Sequence, residues 1–422
     1  MHIAVVATGG SRGDVQPGIV LADALKTAGH RVSLCVTEDF SDLAATHGLD
    51  ICPVRFNTRA MVESLGGIEM IESGKNPVRM FRSLVGLLRP LYVQTVKDVM
   101  PVLEHADLVL AHLGAAFCVQ SMAERVRVPL ATFVLALAAP TREQSAGTFP
   151  PAPEWLPFKH LYNRLTHFLG AQAVIPVLSK LINEIRTDQL GLPPHTRRSF
   201  SKAIASQTIL HGISPTVIPR PEDWPERYQM VGYWFEPAIP GWTAPRPLQR
   251  FLDEGPPPIY LGFGSMSTRN PEQTTALLLE AVRRSGQRAI LAAGWAGLKS
   301  DNLPTSIMMV EEVPHNWLFP RVSVAVHHGG AGTTAAAFRA GVPSIIVPHF
   351  ADQYFWARRA KQLGVSPEPI ARKKLTSARL AEALSQVATD RQMRQRAGTL
   401  AEKLQREDGV QRAVQIIEHL AM

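Results

Sequence analysis

The sequence predicts an α/β protein of two doubly wound domains, each a parallel sheet flanked by helices, with a cleft between them. Three observations predict it. Short apolar runs alternate with helical patterns in two successive series, as strand–helix–strand units around parallel sheets require. A proline-dense stretch separates the two series. Turns rich in glycine, histidine or carboxylate stand at the C-terminal ends of strands in both, which is where such folds bind ligands.

The first series opens with a strand from Ile3 to Thr8, a turn from Gly9 to Gly13, a helix, and a strand from Arg31 to Val36. Pro17 suits the first turn of that helix and Gly29 its end. Further strands are expected at Asp107 to Ala111 and Leu130 to Ala136. From Ile213 to Pro247 the chain carries eight prolines. Each removes a backbone donor and fixes φ, so the stretch reads as an inter-domain linker. The second series begins with strand Ile259 to Phe263 and the turn Gly264-Ser265-Met266, then a helix from Pro271 to Ser285. Strands are expected at Ala289 to Ala293, Ile307 to Val310, Val322 to Val326 and Ser344 to Val347, and helices from Leu380 to Leu420. The expected organisation is a first domain over 1–212, a linker over 213–247, a second domain over 248–400, and a helix in 401–422 packing back on the first domain.

Composition narrows the function classes. With 422 residues, 45% of them apolar, the chain can bury large cores, and a charged fraction of 19% is too low for disorder. The net charge is +8, but its basic groups (Lys75, Arg79, Arg82 and Arg89; Arg197, Arg198 and Lys202; Arg372, Lys373 and Lys374) are dispersed, and none is interleaved with an aromatic platform of the kind single-strand binders use. That argues against nucleic acid and leaves an anionic membrane, in weak peripheral contact, or a negatively charged substrate as the expectation. Cys35, Cys52 and Cys118 have neither metal nor disulfide spacing and read as buried thiols of a reducing cytoplasm. The first residues lack a basic leader, and the longest apolar stretch, Val128 to Ala139, is too short to span a bilayer.

The stretch Val326-His327-His328-Gly329-Gly330-Ala331-Gly332-Thr333-Thr334 carries the most chemistry. It stands where a strand turns into a helix, so backbone N–H groups can point at an anion. Gly330 and Gly332 let a ligand approach the backbone, and His328 and Thr333 add donors. About 20 residues on, Asp352 and Gln353 offer a carboxylate and an amide to a sugar attached to a diphosphate. In the first turn, Asp14 stands at a helix start, where it serves either as a cap or as a general base. No D-x-D pair, metal-type cluster or P-loop is present. A departing diphosphate would then be stabilised by protein donors.

These motifs resemble those of the UDP-glycosyltransferase superfamily, whose GT-B fold has two Rossmann-like domains, and most of all its sterol glucosyltransferases and bacterial antibiotic glycosyltransferases. The matching pieces are Gly10-Ser11-Arg12-Gly13-Asp14-Val15-Gln16-Pro17; Leu261 to Met266; Ala293-Gly294-Trp295; Val313 to Pro320; His327 to Thr334; and Gly341 to Pro343 through Asp352-Gln353. The resemblance implies Asp14 as the base acting on the acceptor. It implies donor-diphosphate contacts at Ser11, Arg12, Gly264, Ser265, His328, Gly330, Gly332 and Thr333. Val313, His315 and Trp317 would receive the nucleotide base, and Asp352 and Gln353 the sugar. His315 as a loop residue, Trp317 as core packing and His327 as a lesser contact remain open. Ala336 stands where plant-type members carry a ribose-binding glutamate, which keeps a dTDP-sugar open beside UDP-glucose.

Residues 50–210 match no motif but are rich in apolar bulk, and Thr141 to Pro157 reads as a long loop with Phe149 and Trp155. The expected activity is an inverting, metal-independent hexosyl transfer, without cofactor, to a hydroxyl of a hydrophobic acceptor such as a sterol, triterpenoid or polyketide aglycone. The rival readings are a dinucleotide-dependent oxidoreductase, suggested by the opening strand–helix–strand and Glu38, and a non-catalytic binding protein.

Overall fold

The computed structural model describes residues 1–8, 12–64, 77–147, 149–236, 242–264, 271–293, 303–311, 313–349 and 352–420. The chain forms two compact units, Met1–Phe235 with Asp408–Met422, and Glu236–Glu407.

In the first unit the strands are β1 (His2–Ala7), β2 (Arg31–Thr37), β3 (Asp50–Val54), β4 (Leu108–His112), β5 (Leu130–Val134), β6 (Thr208–His211) and β7 (Tyr228–Met230). They form one sheet in the order β3-β2-β1-β4-β5-β6-β7, with every pairing parallel. The central strands are buried throughout: Ile3 to Ala7 is at most 1% exposed, as an interior parallel strand requires. Helices Pro77–Leu103, Leu113–Val126 and Lys159–Asp188 build one core cluster with the sheet, through Leu91, Val99, Val119, Met122, Leu181 and Ile185. Helix Arg12–Thr27 lies close on β1, because a Cβ on Gly18 would stand 2.7 Å from the Ala7 Cβ.

The stretch read from its prolines as a linker folds with the first unit as far as Phe235, and contributes β7. Its carbonyls are gathered by a side chain: Arg220 donates to the carbonyls of Trp224, Pro225 and Tyr228 at 2.8–3.3 Å. Trp224 in turn stacks on His211, with ring centroids 4.3 Å apart. The last helix, Gly409–Leu420, also belongs to this unit, whereas residues 401–405 end the helix Arg391–Gln405 of the second. Trp234 Nε1 donates to the Gly409 carbonyl at 3.2 Å, and His30 Nε2 meets Glu418 at 3.2 Å.

The second unit holds β8 (Ile259–Gly262), β9 (Ala289–Ala292), β10 (Ile307–Val310), β11 (Val324–His327) and β12 (Ser344–Ile346), in the order β10-β9-β8-β11-β12 and again parallel. Helix Pro271–Ser285 spans the residues the sequence predicts. It packs with helix Ser377–Thr389 on the sheet, through Leu278, Val282, Leu380 and Leu384.

Candidate functional site

Each sheet reverses its strand order once, and a doubly wound sheet binds its ligand where that happens, beyond the strand C-termini. In the first unit the reversal lies between β1 and β4. Val6 pairs with Ala111, so the ends of these strands are side by side. From β1 the chain enters helix Arg12–Thr27, whose first turn carries Asp14. From β4 it ends on His112, which caps the next helix: the Gly114 N–H donates to its Nδ1 at 3.3 Å. That bond leaves the ring proton on Nε2, and Nε2 lies 3.7 Å from Asp14 Oδ1. The Asp14 side chain is 42% exposed and that of His112 only 10%. Burial pushes the His112 pKa below its ordinary value, against the pull of the Asp14 carboxylate, so the imidazole is neutral. The arrangement is a solvent-reachable carboxylate backed by a neutral N–H. Arg12 Nε donates to the Gln16 side chain at 3.3 Å. Ser11 lies outside the described residues.

In the second unit the reversal lies between β8 and β11. His327 pairs with Gly262, which brings the turn after β8 against the turn after β11. Gly264, at φ +59°, and Gly330 enclose the His328 ring: a Cβ on Gly264 would stand 3.0 Å from its Cε1, and one on Gly330 2.5 Å from its Nε2. His328 is 8% exposed, and its Nδ1 has no hydrogen-bond partner among the described residues. Gly330 is the N-cap of helix Ala331–Ala340 and supplies no side-chain cap. The first-turn N–H groups of that helix therefore present partial positive charge without a built-in carboxylate or hydroxyl acceptor at the cap. A Cβ on Gly332 would meet nothing within 4 Å, and Thr333 is half-buried in the same turn. His327 does a different job. It is fully buried, and its Nδ1 accepts the Gly329 N–H at 3.1 Å, which holds the turn in shape. Ser265 lies outside the described residues.

Val313, His315 and Trp317 border a short helix, His315–Leu318. His315 is fixed on two sides: its ring stacks on Phe319 at 4.4 Å, and its Nε2 meets the Tyr260 hydroxyl at 3.2 Å. Trp317 packs edge-on against Trp242 at 5.1 Å and lies under the Arg321 guanidinium at 4.3 Å. Both rings are half-buried and not sealed in the core. Val313 joins the apolar cluster beneath them. Asp352 is the N-cap of helix Gln353–Gln362 and accepts from Trp356 Nε1 at 3.1 Å. Gln353 is 4% exposed, and its side-chain oxygen accepts the His349 N–H at 2.7 Å. So Asp352 is the more accessible of the two, while Gln353 shapes the loop that carries it.

Burial dominates the electrostatics of this second cluster. It pushes the pKa of His327 down to about 3 and that of His349 to about 4, and takes His328 well below its ordinary value, helped by the neighbouring histidines. All three rings are neutral at pH 7. A neutral His328 still has one N–H to give, beside an uncapped helix N-terminus and next to glycines that leave space for an oxyanion. Among the described residues no group of three or more His, Cys, Asp or Glu side chains could hold a metal ion. Reading the sequence alone missed His112 and Tyr260. A polar residue ending an apolar strand is the signal that points to His112; Tyr260, second in the strand Ile259–Gly262, carries no such signal.

A family model described as the glycosyltransferase family 28 N-terminal domain matches residues 4–121. One described as the erythromycin biosynthesis protein CIII-like C-terminal domain matches residues 276–420. The sterol 3-beta-glucosyltransferase UGT80A2 of Arabidopsis thaliana is 32% identical over 97% of this chain and 64% of its own length. UGT80B1 of the same plant, also a sterol 3-beta-glucosyltransferase, is 31% identical over 98% of this chain and 67% of its own length. Fungal proteins of that description match over as little as 26% of their length, so the chain spans only part of many of these relatives. Among solved structures, the glycotransferase of kitacinnamycin superposes with a TM-score of 0.69 at 19% identity, over 99% of this chain and 98% of that one, a likeness of fold.

Proposed function

We propose that this chain, which belongs to the glycosyltransferase family of the sterol 3-beta-glucosyltransferases and has the GT-B fold, moves a hexose from a nucleoside diphosphate sugar to a hydroxyl of a hydrophobic acceptor. UDP-glucose is the favoured donor. The observation that carries the reading is the pair of switch-point clusters, Asp14 with His112 in one unit and Gly264, His328 and Gly330 in the other. The Asp14 carboxylate takes the proton of the acceptor hydroxyl. The oxygen bonds to the anomeric carbon as the bond from that carbon to the diphosphate breaks, which inverts the configuration. Charge building on the departing diphosphate is met by the His328 N–H and the first turn of helix Ala331–Ala340, donors that act most strongly in the transition state. His112 backs the base, its Nε2 standing 3.7 Å from Asp14 Oδ1, and its N–H closes to a hydrogen bond as the carboxylate is positioned. Asp352 accepts sugar hydroxyls. The reaction needs no metal, and free thiols at Cys35, Cys52 and Cys118 suit a reducing cytoplasm.

A second donor reading, a dTDP-sugar, is favoured by Ala336, which offers no carboxylate to ribose hydroxyls. A panel of UDP- and dTDP-sugars against mixed sterols and polyketide aglycones, with and without EDTA and read by mass spectrometry, tests both. Glucosyl transfer from UDP-glucose that survives EDTA is expected. Transfer only from dTDP-sugars would select the second reading, strict dependence on magnesium or manganese would refute the metal-free mechanism, and no transfer from any donor would refute the activity.

A further inference from the structure

The first half of helix Lys159–Asp188 is inside out. Its polar residues face the protein: Asn163 and Thr166 are 4% and 3% exposed. Asn163 Nδ2 donates to the Arg142 carbonyl at 2.8 Å, and Thr166 Oγ1 accepts the Ala146 N–H at 3.0 Å. His167 Nε2 reaches the Gln144 carbonyl at 3.0 Å. These bonds fasten the loop that precedes the helix. The large apolar side chains point the other way. Phe158, Leu161, Leu165, Phe168 and Leu169 are 46–62% exposed, and Trp155 just ahead of them is 81% exposed. At 100° per residue the five fall within an arc of about 100°, one continuous stripe. Solvated helices bury such a stripe, so one turned outward marks a surface that another apolar phase covers.

The charges identify that phase. From Trp155 to Asn183 there is no carboxylate, while Lys159, Arg164 and Lys180 are exposed. A second copy docked by a two-fold axis would set this cationic strip against itself. An anionic lipid surface complements it, with the aromatic rings at headgroup depth and the leucines below. By length and composition alone the helix could cross a bilayer, but its second half is committed elsewhere. Leu178, Leu181, Ile182 and Ile185 belong to the first unit's core, and Arg186 pairs with Glu124 at 2.6 Å. It can lie on a membrane and not traverse one.

We infer that the outward stripe of residues 155–169 seats the first unit on an anionic bilayer, its apolar side chains entering by about 5–10 Å. The inference deepens the proposed use of a hydrophobic acceptor by giving the phase from which that acceptor is taken. It also moves the membrane contact away from the basic group at Lys75 to Arg89. Lys75 lies outside the described residues, and Arg89 pairs with Glu184 at 3.2 Å.

Co-sedimentation with vesicles of phosphatidylcholine and phosphatidylserine, free of donor and acceptor, tests it separately from catalysis. Wild-type protein is expected to sediment at low salt and to be released by high salt or by pure phosphatidylcholine vesicles. The exposed-site double variant Leu165→Glu/Phe168→Glu should bind about tenfold less, while keeping its melting temperature and its turnover of a detergent-dispersed acceptor. Wild-type protein left in the supernatant would overturn the inference. So would a double variant that sediments like wild type, or a solution dimer that the two substitutions dissociate. Absence of turnover in both proteins, with wild-type vesicle binding intact and the double variant's reduced, would instead overturn the transfer reading.

Discussion

Replacing Asp14 and His112 singly and together separates a base from the group that holds it. Asp14→Asn removes the proton acceptor while keeping size and helix position, so turnover should fall by about 10²–10⁴-fold. His112→Asn is chosen because asparagine is itself a good N-cap, so helix Leu113–Val126 keeps its Gly114 bond. What disappears is the Nε2–H facing Asp14 at 3.7 Å. A neutral hydrogen bond contributes about 0.5–1.5 kcal/mol net. If it tightens only as the carboxylate is positioned for proton transfer, the loss is about 2–12-fold in kcat. The Phe133 contact, at 5.6 Å between ring centroids, is lost too, so a fall in melting temperature is expected and is measured separately. Initial rates with saturating donor, over a range of acceptor concentrations, give kcat and KM for all four proteins. If His112 acts through Asp14, His112→Asn costs nothing further in the Asp14→Asn background. An equal cost in both backgrounds would show that His112 only stabilises the fold. Near-wild-type turnover in Asp14→Asn would refute the base and leave Asp14 as a helix-start charge.

Two glycines of the His328 turn should respond in opposite ways before ligand is added. Gly330→Ala places a Cβ 2.5 Å from His328 Nε2 and must displace the buried ring, so calorimetry should show weaker binding of the free nucleoside diphosphate together with lower stability. Gly332→Ala meets nothing and should raise stability by up to about 1 kcal/mol; unchanged diphosphate affinity there would remove Gly332 from the contact set. Asp352→Ala should slow sugar transfer while leaving affinity for the free diphosphate nearly intact, and a large loss of that affinity would place Asp352 in the nucleotide pocket. Stability should fall with acidification. His211 and His349 titrate near 4 when folded, against about 6.5 unfolded, so the unfolded chain binds more protons across that window. Each then lowers the unfolding free energy by up to about 1.4 kcal/mol per pH unit as pH falls from about 6.5 towards 4. Urea unfolding at pH 7, 6 and 5 should show this slope, and His211→Phe should flatten it; a pH-independent midpoint would refute the assignment of neutral buried imidazoles.

What the sequence disclosed follows how each element is buried. β1, β8 and β11 stand in sheet interiors and read as continuous apolar runs. β3 escaped because Asp50, Cys52 and Pro53 interrupt the pattern. An edge strand tolerates proline where one side of the ladder is open, and β3 is an edge. β6 and β7 are only four and three residues long; β6 ends just before the proline-dense stretch and β7 lies within it, where Arg220 satisfies carbonyls that no regular strand could. Proline density shows that regular elements are brief; it does not show that a segment is free of the core.

The same logic divides the candidate site. The His328 turn was legible because every part of it is local: a strand end, glycines and a helix start within nine residues, which the fold has only to close. Asp14 was legible for the same reason. His112 was not, since it is 98 residues away and becomes Asp14's neighbour only because β4, and not β2 or β3, takes the place beside β1 on the far side. Nothing between residues 14 and 112 encodes that adjacency; it comes from the order in which the strands add to the sheet. His327 and His328 show the converse. They are adjacent in sequence, yet strand alternation sends one ring back to accept the Gly329 N–H and the other between two glycines. Where a function depends on a turn, sequence spacing is enough to propose it. Where it depends on two strands meeting, sheet order has to be known first, and a histidine or carboxylate at the C-terminal end of each apolar run is the residue to test against that order.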